Sequence, residues 1–143
     1  MKRLSVTILI LFSLLTGCSA PKTSLQVTTA TVESVLYKQI SQQEAMEMMK
    51  RDDGHIIVDV RRQEEFDEGH IPGAILIPNE SIVSERPKEL KDLNQIILIY
   101  CRSGRRSKEA SEKLSAMGYK NIYEFGGIIT WPGETTRSAA HDK

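Results

Sequence analysis

QIILIYCRSGRRSKEASEKLSAMG, Gln95 to Gly118, decides the fold. After Gln95, Ile96 to Tyr100 form an apolar run rich in isoleucine with no polar alternation. That is the pattern of a short strand buried on both faces. From about Arg105 to Met117 the period changes. Ala110, Leu114 and Met117 fall at helical spacing, and Gly118 follows as a C-terminal cap. Between the two elements lie Cys101 and a short loop crowded with arginine.

A buried strand feeding a helix through a short loop is the repeating unit of an α/β fold. The flanking sequence repeats it. YKQI (37–40) is a short strand candidate. SQQE (41–44) then gives a capping box, with Ser41 as N-cap and Glu44 three residues on, and the helix runs through AMEMMK to the Asp52-Asp53-Gly54 turn. HIIVDV (55–60) is a second buried strand, and RQEEFDEG gives one or two helical turns ending at Gly69. Ala74–Ile77 forms another strand closed by Pro78, 79–87 is loop, and Lys88–Leu93 is a short helix. NIYEF (121–125) is the last strand, followed by GGIITWPGE. The expectation is an α/β fold with a mostly parallel sheet flanked by helices. Ligands in such sheets sit beyond the carboxyl ends of the strands, where Cys101 lies.

The chain has 143 residues, one-domain size, with 19 Lys+Arg against 19 Asp+Glu. That balance argues against binding nucleic acid by bulk charge. At the start, Lys2 and Arg3 precede the apolar run VTILILFSLL (6–15), shorter than the roughly 20 residues a membrane span needs. The run ends in LTGC (15–18), which resembles the lipobox of bacterial lipoproteins. The resemblance implies cleavage before Cys18, lipidation of its thiol and usually acylation of its amine, and attachment to a membrane through at least two acyl chains. The protein would then be extracytoplasmic, on the cell membrane or on the outer membrane of a Gram-negative host. An ordinary signal peptide cut elsewhere, for example after Ala20, is the alternative. The expected organisation is a signal peptide over 1–17, a lipidated Ser/Thr/Ala-rich tether over 18–36, a folded domain over 37–137 and a flexible tail over 138–143, with fraying from Thr135 on. With Cys18 lipidated, Cys101 has no intrachain partner, so a free thiol stands in a compartment that favours disulfides.

A thiol at a strand end, before a helix N-terminus, has physical consequences. Loop N–H groups of RSGRR can turn toward the sulfur, and the helix adds its positive dipole end. Arg102, Arg105 and Arg106 add charge, and Gly104 permits a left-handed turn. Each electrostatic effect favours the thiolate. The bland alternative is a buried structural cysteine beside a solvated basic loop. Two chemistries use an anion cradle of this kind. Cysteine phosphatases carry cysteine, five residues, then arginine, but here that position is Ser107. The ring closes too early for a tetrahedral phosphate. Sulfur transfer needs room for only one added sulfur atom.

IIVDVRRQEEFDEGHIPGAILIP, IILIYCRSGRRS and GYKNIYEFGGIITWPGE together resemble the three signature segments of single-domain rhodaneses. The resemblance covers roughly 37–131. It implies a twisted five-stranded parallel sheet flanked by helices and thiosulfate:thiol or thiosulfate:cyanide sulfurtransferase chemistry. It makes Cys101 the persulfide-forming nucleophile and Arg102, Ser103, Gly104, Arg105, Arg106 and Ser107 the substrate-binding loop. The expected partners are a small anionic sulfur donor and a thiol or cyanide acceptor, with the membrane held through the lipid anchor. No nucleic acid, cofactor or metal is expected, and a monomer is the default. Two alternatives stand beside the enzyme: a rhodanese-like persulfide carrier or anion-binding module with little turnover, and an arsenate reductase or phosphatase, disfavoured by the short loop. Asp59 and Arg61 are read as a structural ion pair, His70 as structural, Met46, Met48 and Met49 as helix packing and surface, and Trp131 as packing. His55 and His141 have no companions at metal spacing.

Overall fold

The computed structural model describes residues 37–138. The expectations for the signal peptide, Cys18 and the tether, for His141 and for the last part of the tail lie outside these residues. Five strands form one sheet: β1 (Lys38–Gln39), β2 (Ile56–Asp59), β3 (Ile75–Leu76), β4 (Ile96–Cys101) and β5 (Asn121–Gly127). Their order is β1-β5-β4-β2-β3, and every pairing is parallel. Three α-helices, α1 (Gln42–Met49), α2 (Gln63–Glu68) and α3 (Arg105–Ala116), and two short 3-10 turns, Asn79–Ser81 and Ile128–Thr130, connect the strands. The predicted five-stranded parallel sheet flanked by helices is therefore the one observed.

The apolar run at β4 is continuous because both faces of the strand are covered. Ile97, Ile99 and Cys101 pack with Val58, Ile122 and with Ala110 and Leu114 of α3. Leu98 and Tyr100 turn the other way, toward Ala45 of α1, Ile71 and Phe125. The capping box at α1 forms as its sequence requires: Glu44 N donates to Ser41 Oγ at 3.1 Å, and Ser41 N donates to Glu44 Oε2 at 2.8 Å.

Two expectations need correction. Lys88–Leu93 is not a helix but a pair of turns. Its carbonyls have tertiary partners instead of helical ones: Leu90 O accepts from Tyr119 Oη at 2.5 Å, and Leu93 O accepts from Lys120 N at 3.0 Å. Burial of Leu90 in the core anchors this conformation. The chain from Thr135 to Ser138 is not frayed either. Thr136 and His70 exchange backbone hydrogen bonds, both of 2.8 Å, and Ser138 N donates to Asp67 O at 3.3 Å.

One irregularity positions the site. Ile99 pairs with Glu124, but Cys101 pairs with Gly127, so β5 carries one residue more than β4 over this stretch. This is a β-bulge. Gly126 takes up the extra length with a φ of 93°, a conformation that favours glycine. At Gly127 the demand is space: a Cβ would lie 2.1 Å from Arg102 O. The two glycines let the end of β5 pass directly beneath the loop that follows Cys101.

Candidate active site

Cys101 ends β4, with β2 on one side and β5 on the other. The next residues turn back over it. Gly104 adopts φ 100°, ψ −19° and serves as the N-cap of α3. No side chain caps this helix, so its first amides remain available to the sulfur. Gly104 N donates to Cys101 Sγ at 3.1 Å, and Ser107 Oγ lies 3.5 Å from the same atom. Cys101 is only 1% exposed. Burial pushes its thiol pKa up, but the Ser107 hydroxyl and the amides of Ser107, Ser103 and Gly104 outweigh burial, and the net direction is down.

The arginines play a smaller part at the sulfur than their number suggests. Arg106 interacts electrostatically with Cys101. Its guanidinium makes a bidentate pair with Glu65 of α2, at 2.6 and 2.8 Å. That pair holds the Glu65 carboxyl at about 2. The Arg105 side chain is 78% exposed and faces Glu109 at 3.6 Å. Arg102 is exposed. Together with Arg62, Glu80, Ser103 and Cys101, these groups line a polar cavity of about 360 Å³. Four guanidinium groups against two carboxylates leave it positive, suited to a small anion. Glu80 is carried on the 3-10 turn that Lys113 pins by donating to Asn79 O at 3.0 Å and Asn79 Oδ1 at 3.1 Å.

The predicted loop therefore comes together around one atom, with a division of labour. Gly104 and Ser107 face the sulfur from within the protein, both buried. Arg102, Ser103, Arg105 and Arg106 face the cavity.

Residues outside the loop behave as structure. Arg61 donates to both Asp59 carboxylate oxygens, at 2.7 to 3.0 Å, and its Nη2 donates to Gly69 O at 2.6 Å. This buried pair ties the end of β2 to the segment after α2. His70 stacks on Phe66 with ring centroids 3.7 Å apart, and its Nδ1 lies 2.8 Å from Phe66 O. His55 Nδ1 pairs with Asp53 at 2.8 Å. Met48 and Met49 pack on the core. Trp131 packs on Phe125 and lines a separate, larger cavity of about 460 Å³ with Met46, Met49 and Ile71. That second cavity has a mostly apolar lining, with Lys50, His55 and Glu134 as its ionisable residues.

Sequence reasoning missed Glu124. It lies on β5, is 3% exposed, and accepts from Ser107 Oγ at 2.6 Å and from Gly126 N at 2.9 Å. A signal was available. In NIYEF, Glu124 shares a strand face with Ile122, which is buried against α3, and an acid at an inward-facing position of a buried strand is exceptional.

Comparison with known proteins agrees with this architecture. The Rhodanese-like domain family model matches residues 41–132. The thiosulfate sulfurtransferase GlpE of Coxiella burnetii is 33% identical over 108 residues, covering 75% of this chain and 98% of its own. A putative sulfur carrier protein, YrkF of Bacillus subtilis, is 35% identical over 98 residues, covering 68% of this chain and 52% of its own. Among solved structures, a rhodanese with anions from E. coli superposes with a TM-score of 0.54 at 31% identity, covering 59% of this chain and 99% of that one.

Proposed function

The chain belongs to the Rhodanese-like domain family, and from that premise we propose that it is a sulfurtransferase working through a persulfide on Cys101. The observation that carries this reading is a buried thiol with its pKa lowered by hydrogen bonds, at the floor of a positive cavity. GlpE is named for transfer from thiosulfate, and the E. coli rhodanese was solved with anions. Both support an anionic sulfur donor of the thiosulfate class.

The reaction has two halves. The Cys101 thiolate attacks the outer sulfur of thiosulfate. A sulfur–sulfur bond forms to Cys101, and the donor's own sulfur–sulfur bond breaks with its electron pair leaving on sulfite. A thiol or cyanide then attacks the outer persulfide sulfur and regenerates the thiolate. Division into two displacements predicts ping-pong kinetics. The amides of Ser103, Gly104 and Ser107 stabilise the sulfur anion in each resting form. Arg102 and Arg105, at the cavity wall, attract and orient the dianionic donor.

Intact mass after incubation with thiosulfate tests this. The expected result is a gain of one sulfur atom that is lost in Cys101→Ser. No gain, or a gain that survives the substitution, overturns the reading. The similarity to a putative sulfur carrier supports a second reading, in which the persulfide is held for a partner. Stable loading without turnover on cyanide or small thiols selects it.

We also propose that the chain is lipid-anchored through Cys18 outside the cytoplasm, supported by the apolar run and LTGC. Fractionation of cells tests this: the chain sediments with membranes and Cys18→Ser does not. Sedimentation of both forms, or of neither, overturns it.

A further inference from the structure

Ser107 has one proton and several acceptors. Glu124 Oε1 lies 2.6 Å from its hydroxyl oxygen, Gly104 O 3.0 Å, Cys101 Sγ 3.5 Å and Gly126 O 3.5 Å. The 2.6 Å separation makes the hydroxyl–carboxyl contact the shortest of the four. Ser107 Oγ faces Cys101 Sγ as a donor at 3.5 Å as well as Glu124 Oε1 at 2.6 Å, and with its one proton on the carboxylate side its lone pairs can accept from the thiol instead. The three side chains form one buried row, from sulfur to hydroxyl to carboxylate. Among the described residues Glu124 has no ion-pair partner, and its Oε1 accepts from Ser107 Oγ and from Gly126 N.

We propose that Glu124 takes up the Cys101 proton through Ser107, as a positioning residue that acts on the sulfur without touching it. The S–H bond breaks and its electron pair stays on sulfur. The proton bonds to Ser107 Oγ while the hydroxyl's own proton passes to Glu124 Oε1. A single negative charge thereby moves from carboxylate to sulfur, and no co-reactant is consumed. This avoids two adjacent buried anions, which would be costly. The proton returns along the same path when the thiol re-forms.

The charged groups around the trio are few. Arg106 of α3 is already paired with Glu65 of α2, and Asp59 of β2 with Arg61. Arg62, Arg102, Arg105 and Glu80 lie on the cavity side. From the neighbouring strands, β1 sets Gln39 and β4 sets Ile99 beside Glu124.

The inference rests on Cys101 being the nucleophile proposed above, and its test reads the thiol rather than sulfur transfer. A thiol and a carboxyl sharing one proton titrate as a pair. The rate of Cys101 alkylation by iodoacetamide, followed from acid to alkaline pH, is therefore expected to rise in two steps separated by a plateau. In Glu124→Gln, which keeps an acceptor oxygen but takes no proton, one step remains. Difference infrared spectra between the plateau and the alkaline limb are expected to show the C=O stretch of a protonated carboxyl, lost in both Glu124→Gln and Cys101→Ser. A single step in the unaltered protein, or absence of that band, overturns the inference even if Glu124→Gln fails to fold. A persulfide that never forms, with the two steps and the band intact, sinks the sulfurtransferase reading alone.

Discussion

At Cys101 two opposing effects act on one atom. Burial disfavours the thiolate, and one hydroxyl with three amides favours it more. The lowered pKa means that more thiolate is present at any pH below the ordinary cysteine value. Removing one donor should shift the balance back. Ser107→Ala is expected to move the alkylation profile of Cys101 to higher pH, since a hydrogen bond that favours the thiolate is lost. An unmoved profile would mean that the amides alone hold the thiolate. The position of Cys101 was legible because the end of an apolar run and the start of a helical pattern are both local signals. Its acidic neighbour was not, because Glu124 reaches Ser107 from another strand.

At the level of elements, the site depends on two junctions. The first is the bulge in β5. Gly127→Ala would place a Cβ 2.1 Å from Arg102 O, and rigid backbone stands on both sides. The loop must move, at a cost of about 1–3 kcal/mol in stability. Both the denaturant midpoint and the rate of persulfide loading are expected to fall. A variant with the native loading rate would show that the close approach is not what shapes the loop. The second junction is the bridge between α2 and α3. The Glu65 carboxyl, ordinarily at 4.5, is held at about 2 by Arg106. A folded-state pKa below the unfolded one contributes stability that is fully present above pH 4.5 and lost as pH falls toward 2. Glu65→Gln is expected to cost about 1 kcal/mol at neutral pH, because the pair is partly exposed and screened. It should also flatten the acid limb of the stability curve, measured by urea unfolding across that window. The missed turn at Lys88–Leu93 belongs to this scale as well. Helical propensity is weak over six residues, and burial of Leu90 with capture of its carbonyl by Tyr119 overrides it.

For the molecule as a whole, one sheet separates two apolar clusters, and the thiol sits at the edge of the α3-side cluster. Leu114 is fully buried there. Leu114→Ala is expected to destabilise the fold by about 2–5 kcal/mol, seen as a lower denaturant midpoint, while sulfur loading persists in conditions where the variant remains folded. Loss of loading in the folded variant would place the α3 packing in the chemistry itself. The amino-acid sequence determined that this is a parallel α/β domain with a lone thiol at a strand's carboxyl end, because periodicity, caps and turns are properties of neighbouring residues. It did not determine which charges meet. Arg106 and Glu65 are separated by 41 residues along the chain, and Ser107 and Glu124 by 17. Those pairs exist because the order β1-β5-β4-β2-β3 brings the ends of β2, β4 and β5 to one edge. Only that packing decided that the sulfur is held by amides and a hydroxyl, with the arginines left to the cavity and to their carboxylates.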